Sequence, residues 1–356
     1  MAEMIKILIV DDSEIIRDYL GFIFSLEPDF HVVGKAVNGS EAVQMAKEKR
    51  PDVITMDIEM PVMNGYEATK RIMSTQPVPI VVITSSFQKS EVEKTFKAMD
   101  AGALTVLEKP VGLDHPNYER DRRLLVRTVR TMSEVKLVTR FRKYREDYNE
   151  VERNDGEHLV KKQRINYKIT AIGVSTGGPP VLNQIFSSVP ENFKMPIVVV
   201  QHIPEGFLDG MVEWLNQHSK LPVSIAEKGE ILQHGRIYFC PAECFMSISS
   251  KLEVNLEKES RRFSIKPSVS CLFQSLFENF KEEAIGILLT GMGRDGAEEL
   301  ALMKSAGALT IAQDKESSAV HGMPGAAIKL QATTYILSPL DIVRKLKELN
   351  TEKYTV

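Results

Sequence analysis

Three aspartates follow two short apolar runs. Ile5–Val10 ends in Asp11-Asp12, and Val53–Met56 ends in Asp57. If the runs are neighbouring strands of a parallel sheet, the carboxylates meet beyond its carboxyl edge, where such sheets bind ligands. Close carboxylates repel, so the cluster requires a cation, and hard oxygen donors favour Mg²⁺. Ile80–Thr84 brings the Thr84 hydroxyl to the same edge, and Ala103–Leu107 leads to Lys109-Pro110. A lysine there supplies a compact positive charge to an anion bound at the metal. Acids on two strands, a hydroxyl on a third and a lysine on a fourth form a phosphoryl site with one carboxylate as nucleophile. Taken alone, Asp12-Ser13 reads as a helix N-cap.

A second constellation lies further along. Gly173-Val174-Ser175-Thr176-Gly177, at the end of Ile169–Val174, fits the G-x-S-x-G turn that presents a nucleophilic serine. A glycine-rich turn can also cradle a phosphate, although the dinucleotide spacing G-x-G-x-x-G is missing. A serine nucleophile needs a base, and the base needs an orienting acid. Pro196–Gln201 is followed by His202, and Ile285–Thr290 by a glycine-rich turn containing Asp295. Ser175, His202 and Asp295 thus each follow a different strand, in a chain order unlike that of the α/β-hydrolases; triads are defined by geometry and not by order. His31, His115, His158, His218 and His234 have no such company, while His321 stands close to the expected rim. Cys240, Cys244 and Cys271 lack the paired spacing of a zinc site.

The elements that must hold these residues follow from length and pattern. A chain of 356 residues suggests about two domains. Before Glu134, five apolar runs (Ile5–Val10, His31–Ala36, Val53–Met56, Ile80–Thr84, Ala103–Leu107) alternate with amphipathic stretches of helical length. That predicts a parallel sheet covered on both faces. The alternation resumes with Ile169–Val174, Pro196–Gln201, Ile285–Thr290 and Leu309–Ala312. Pro222–Ser264 has short runs without a long helix and reads as inserted hairpins. The segment from Glu134 to Lys168 is highly charged with no apolar stripe, and reads as a solvated helix or linker. A net charge of -3 argues against a globally basic nucleic-acid binder. No apolar run approaches the ~18 residues of a membrane span. The N-terminus lacks the signal-peptide pattern, and three cysteines fit a reducing cytoplasm.

Val10-Asp11-Asp12-Ser13, Asp57 to Gly65, Thr84-Ser85-Ser86 and Lys109-Pro110 together resemble the response-regulator receiver domain. The resemblance makes Asp57 the phospho-acceptor, Asp11, Asp12 and Asp57 the Mg²⁺ carboxylates, and Thr84 and Lys109 the phosphoryl contacts. It also implies a common cis bond before Pro110. Receivers usually carry Phe or Tyr three residues before that lysine; here it is Val106, which removes the aromatic rotamer switch. Gly173 to Pro179, Gln201 to Phe207, Leu289 to Gly296 and Gly322-Met323-Pro324 resemble the catalytic domain of the chemotaxis protein-glutamate methylesterases. Arg294 stands where that family often has Asn, and His321 where it often has an aromatic.

The combined resemblance implies two doubly wound α/β domains. Residues 1–133 would be a flavodoxin-like receiver, 134–167 a charged linker, and 168–350 a Rossmann-like methylesterase domain with a β-hairpin insertion. The implied activity is phosphorylation-regulated hydrolysis of glutamyl methyl esters on chemoreceptors in the cytoplasm, with deamidation of receptor glutamines as a second activity. Ser175, His202 and Asp295 would be the triad, with backbone amides near Thr176 and Met292 as oxyanion donors. The receiver would need Mg²⁺, and the esterase no cofactor. Expected partners are the methyl-accepting receptors and a chemotaxis histidine kinase, with no nucleic acid and no membrane insertion. Competing readings are an inert esterase domain in a phosphorelay module, a nucleotide site at Gly177-Gly178, and a receiver-controlled transcription factor; no helix-turn-helix signal follows the linker.

Overall fold

Short runs of β-branched residues without polar alternation make strands that are buried on both faces, which requires helices above and below. The computed structural model describes residues 4–84, 89–135, 166–203 and 205–351. Its first unit runs β1 (Ile5–Val10), α1 (Glu14–Ser25), β2 (Phe30–Ala36), α2 (Gly39–Lys49), β3 (Val53–Met56), α3 (Gly65–Thr75), β4 (Ile80–Thr84), α4 (Lys89–Asp100), β5 (Thr105–Glu108) and α5 (Tyr118–Ser133). The sheet order is β2-β1-β3-β4-β5, every pair parallel. β1 lies between β2 and β3, so the winding reverses beside it. Asp11 and Asp57 therefore follow neighbouring strands at the switch point. The Ser13, Asn38 and Asn64 side chains cap α1, α2 and α3.

The second unit contains β6 (Ile169–Val174), α6 (Gly178–Phe186), β7 (Ile197–Gln201), α7 (Glu205–His218), β8 (Val223–Ile225), β9 (Ile237–Phe239), β10 (Phe245–Ile248), β11 (Val254–Glu257), α8 (Val269–Asn279), β12 (Ala284–Leu288), α9 (Ala297–Ser305), β13 (Leu309–Gln313), α10 (Met323–Lys329), β14 (Tyr335–Leu337) and α11 (Pro339–Thr351). Seven strands form one sheet in the order β14-β13-β12-β6-β7-β9-β8. β6 is central, with β12 on one side and β7 on the other, all parallel.

Two expectations are corrected. Pro222–Ser264 is not hairpins throughout: β8 and β9 extend the main sheet as parallel edge strands, and only β10–β11 is an antiparallel hairpin. Three-residue strands are too short for their period to reveal parallel pairing. The cis peptide among the described residues is Lys266-Pro267, not Lys109-Pro110; a prolyl bond is close enough in energy between isomers for local packing to select either. The expected charged linker lies mostly outside the described residues.

The two units pack through α4 of the first against α6 and α7 of the second. Phe96 stacks on Trp214 with ring centroids 5.2 Å apart at 17°, and the Trp214 indole N–H donates to Asp100 at 3.1 Å. Elsewhere on the boundary, Val320 joins an apolar cluster of the first unit that includes Leu104 and Leu125, and Met292 and Ala319 pack against that cluster. No helix among the described residues is long and apolar enough to cross a membrane.

Gly173 on β6 lets α8 come close to the sheet: a Cβ there would lie 2.3 Å from Val269 Cγ1 and 2.9 Å from Leu288 Cδ1. Gly173→Ala is expected to destabilise the second unit by about 1–3 kcal/mol through overpacking, measured by urea denaturation.

Candidate functional site

At the rim of the first sheet, the acids cluster as expected. Asp11, Asp12 and Asp57 each offer a carboxylate oxygen, all within 4.8 Å of one another. Asp11 and Asp57 are buried, while Asp12 is exposed. Lys109 Nζ lies 2.8 Å from Asp11 Oδ2 and 3.2 Å from Asp57 Oδ2. Burial pushes the Asp57 carboxyl up to about 6, with Lys109 opposing and the Asp11 charge adding to the rise. The Lys109 ammonium is held above its usual range, because the two carboxylates outweigh its desolvation. Thr84 is buried at the end of β4, and its carbonyl accepts from the Lys109 amide at 2.9 Å.

Two supports here had no sequence signal. Arg17 donates from Nη1 to the Asp11 carbonyl at 2.7 Å and to the Asp12 carbonyl at 2.9 Å. The Tyr19 hydroxyl donates to the Val111 carbonyl, pinning the loop after Lys109-Pro110 to α1. Both depend on contacts between segments that the sequence pattern does not pair.

At the rim of the second sheet, β6, β7 and β12 are neighbours, so their ends bring Ser175, His202 and the 290–296 turn together. His202 Nε2 lies 2.9 Å from Asp295 Oδ2. Asp295 is buried against the N-terminus of α8, where Oδ2 accepts from the Val269 amide at 2.7 Å and Oδ1 from the Ser270 amide at 3.0 Å. Ser268 caps the same helix and donates to Asp295 Oδ1 at 3.4 Å. Burial alone would raise the Asp295 pKa; hydrogen bonds from His202 and Ser270, with the His202 charge, hold it below the usual range. A helix N-terminus favours the charged carboxylate for the same reason. Ser268 before an apolar run is the cap signal that marks this helix start in sequence.

Ser175 follows β6 with its amide donating to the Thr290 carbonyl at 3.0 Å, and the Thr290 hydroxyl donates to the Thr176 carbonyl at 2.9 Å. The left-handed residue of this turn is Gly177, at φ 76°, and not the serine. Among the described residues, no hydrogen bond joins the Ser175 and His202 side chains, and the Thr176 and Met292 amides have no acceptor. His321 is near the rim through its backbone, which bridges Gly291. Its ring lies 3.4 Å from the Ser318 hydroxyl.

A cleft of about 1330 Å³ separates the two units, lined by Val106, Lys109 and Leu124 on one side and by Ser175, His202, Met292 and Asp295 on the other. Ser175 is only 8% exposed. Val106, at the position where receivers carry an aromatic, is buried on this boundary. Across it, the Thr131 hydroxyl lies 3.9 Å from the Met292 sulfur.

Two family models match the chain. The response regulator receiver domain model matches residues 7–115, and the CheB methylesterase model matches residues 170–346. A protein-glutamate methylesterase/protein-glutamine glutaminase of Nitrosospira multiformis is 44% identical over 354 residues, covering 98% of each chain. One from Hahella chejuensis is 46% identical over 345 residues, covering 96% of this chain and 98% of its own. The crystal structure of the Thermotoga maritima CheB methylesterase catalytic domain is 37% identical and covers 52% of this chain and 100% of that one, at a TM-score of 0.49. With a receiver domain preceding a methylesterase domain, and full-length relatives above 40% identity, the chain belongs to the CheB protein-glutamate methylesterase family.

Proposed function

We propose that this chain hydrolyses methyl esters on glutamate side chains of chemoreceptor proteins, releasing methanol, and deamidates glutamines at such positions, under control of phosphorylation at Asp57. The division of labour is 1–133 for the receiver, 134–167 for the linker and 168–350 for the hydrolase. The observation that carries the reading is the meeting of Ser175, His202 and Asp295 at the ends of three adjacent strands, with the imidazole 2.9 Å from the carboxylate.

With Nε2–H donated to Asp295, Nδ1 is the ring nitrogen left to accept the Ser175 proton. His202 takes the Ser175 proton as Oγ attacks the ester carbonyl. The Thr176 and Met292 amides, which have no acceptors among the described residues, hold the oxyanion. The proton on Nδ1 passes to the departing methoxide, and methanol leaves. Water, deprotonated by His202, then cleaves the acyl-enzyme and restores the serine. With a primary amide in place of the ester the leaving group is ammonia, and the glutaminase reaction follows.

The receiver cluster suits a hard divalent cation. Three carboxylate oxygens lie within 4.8 Å of one another, and burial raises the Asp57 carboxyl to about 6, so a bound cation would stabilise its charged form. Asp11, Asp12 and Asp57 would hold Mg²⁺, which when bound screens the phosphoryl oxygens from these carboxylates. Asp57 is then the nucleophile toward a phosphodonor such as a chemotaxis histidine kinase, and Lys109 and Thr84 contact the phosphoryl oxygens. The position of β5 and α5 across the cleft supports restraint of the hydrolase by the unphosphorylated receiver, relieved when the phosphoryl group changes the partners of Lys109.

Three outcomes test this reading. Ser175→Ala should reduce methanol release from methylated receptor membranes to background while Asp57 still accepts phosphate; retained release would overturn the assignment. Acetyl phosphate with Mg²⁺ should raise the rate of the wild-type chain and leave Asp57→Asn unchanged, and equal rates with and without phosphodonor would remove the regulatory claim. The third outcome concerns stability. The Asp57 pKa is raised on folding, so its contribution is fully present below the unfolded value near 4 and is lost as pH rises through about 6. In Mg²⁺-free buffer at about pH 7.5, Asp57→Asn should therefore be more stable than wild type by about 1–3 kcal/mol. The advantage should vanish below about pH 4 and shrink with added Mg²⁺, as read by urea denaturation.

A further inference from the structure

The carbonyls of Ser175 and His202 lie one residue past the end of the β6–β7 ladder. Val174 opposite Gln201 is the last register pair, and the His202 amide closes the ladder on the Val174 carbonyl at 3.0 Å. Beyond it β6 turns into α6 and β7 runs toward α7, so neither strand offers the other a backbone donor. The Gln201 side chain takes that place. Its Nε2 donates to the Ser175 carbonyl at 3.0 Å and to the His202 carbonyl at 3.0 Å. A primary amide has two N–H hydrogens, and both are engaged. Gln201 is 3% exposed.

Hydrogen-bond accounting alone does not explain a glutamine here. Its Oε1 is buried with no partner among the described residues, which is unfavourable. The Ser175 carbonyl also accepts from the Gly178 amide at 2.9 Å. Removing the glutamine would orphan the His202 carbonyl but would also remove the orphan Oε1. What the amide adds is a direct tie between two backbone segments. The turn is built closely around it: a Cβ on Gly178 would lie 2.4 Å from Oε1 and 2.5 Å from Val174 Cγ2.

We propose that Gln201 is a positioning residue of the hydrolase, its side-chain amide fixing the backbone of the nucleophile against the backbone of the base. The inference rests on the esterase reading. Asp295 orients the imidazole and Thr290 anchors the serine turn to β12, but neither ties Ser175 to His202. Gln201 adds that third link, extending the ladder by one side-chain rung. Its loss leaves the His202–Asp295 pair and the substrate contacts in place and degrades only the approach of hydroxyl to imidazole.

The test uses the full-length chain activated with acetyl phosphate and Mg²⁺, assayed by methanol release from methylated receptor membranes. Gln201→Met keeps the bulk and removes both donors. It should lower kcat by about 10²-fold, the scale of a 1 Å misplacement, with KM changed less than about twofold. The acidic limb of the pH profile should keep its midpoint, and labelling of Ser175 by a serine-directed fluorophosphonate should slow in parallel with kcat. Gln201→Glu gives an independent reading, because the introduced carboxyl regains one donor when protonated. Its activity relative to wild type should rise as pH falls, whether or not the methionine variant folds. A wild-type kcat for Gln201→Met, a loss that follows the folded fraction alone, or a pH-independent ratio for Gln201→Glu would overturn the proposal. A wild-type chain that releases no methanol, matching Ser175→Ala, would instead remove the esterase reading itself.

Discussion

The rim of the second sheet is organised around one buried charge. Asp295 sits on the N-terminus of α8, accepting from two backbone amides of that helix and from the His202 ring. A carboxylate at this depth is tolerable only with such donors. The requirement fixes α8, and α8 reaches the rim because Gly173 leaves room for Val269 against the central strand. The imidazole is then set by the carboxylate, and its free nitrogen by the ring. One electrostatic constraint thus propagates from a helix start to a strand interior and to the imidazole.

The receiver rim meets the opposite difficulty. Burial of Asp57 is only partly offset by Lys109 and one backbone donor, so its carboxyl is held near 6 instead of being depressed as Asp295 is. The structural carboxylate is held charged and quiet by hydrogen bonds. The carboxylate proposed to react is kept high in energy by burial that its few donors do not offset, which makes it responsive to cations and to phosphoryl transfer. Burial is large at both sites; the donor count decides which way the pKa moves.

Much of this was legible because a parallel sheet converts sequence position into spatial position. Residues directly after strands share an edge, so Asp11, Asp57, Lys109, Ser175, His202 and the 290–296 turn could be grouped from the order of apolar runs. What could not be grouped depends on side-chain direction or on packing between units. Nothing in Gln201 as a strand residue says that its amide turns back onto two carbonyls. Arg17 looks like any helix-surface arginine until the Asp11-Asp12 carbonyls are placed beside it. β8 and β9 were missed because three residues carry no period, and Phe96 on Trp214 joins two helices about a hundred residues apart with no shared motif.

The boundary between the units suggests how control is achieved without the usual aromatic. Val106 is buried on the cleft, where a small side chain has no rotamer that swings between two environments. The contacts that hold the units together lie elsewhere, on α4 with Phe96 and Asp100 and at the end of α5 with Thr131. The α5 contact ends on Met292, whose amide is a proposed oxyanion donor. In the proposed restraint, the docked receiver therefore covers the serine and also grips a residue of the catalytic turn. Phosphorylation need not act through residue 106; it needs only to favour the arrangement in which α4 and α5 release their partners, since a switch responds to any difference in free energy between its states.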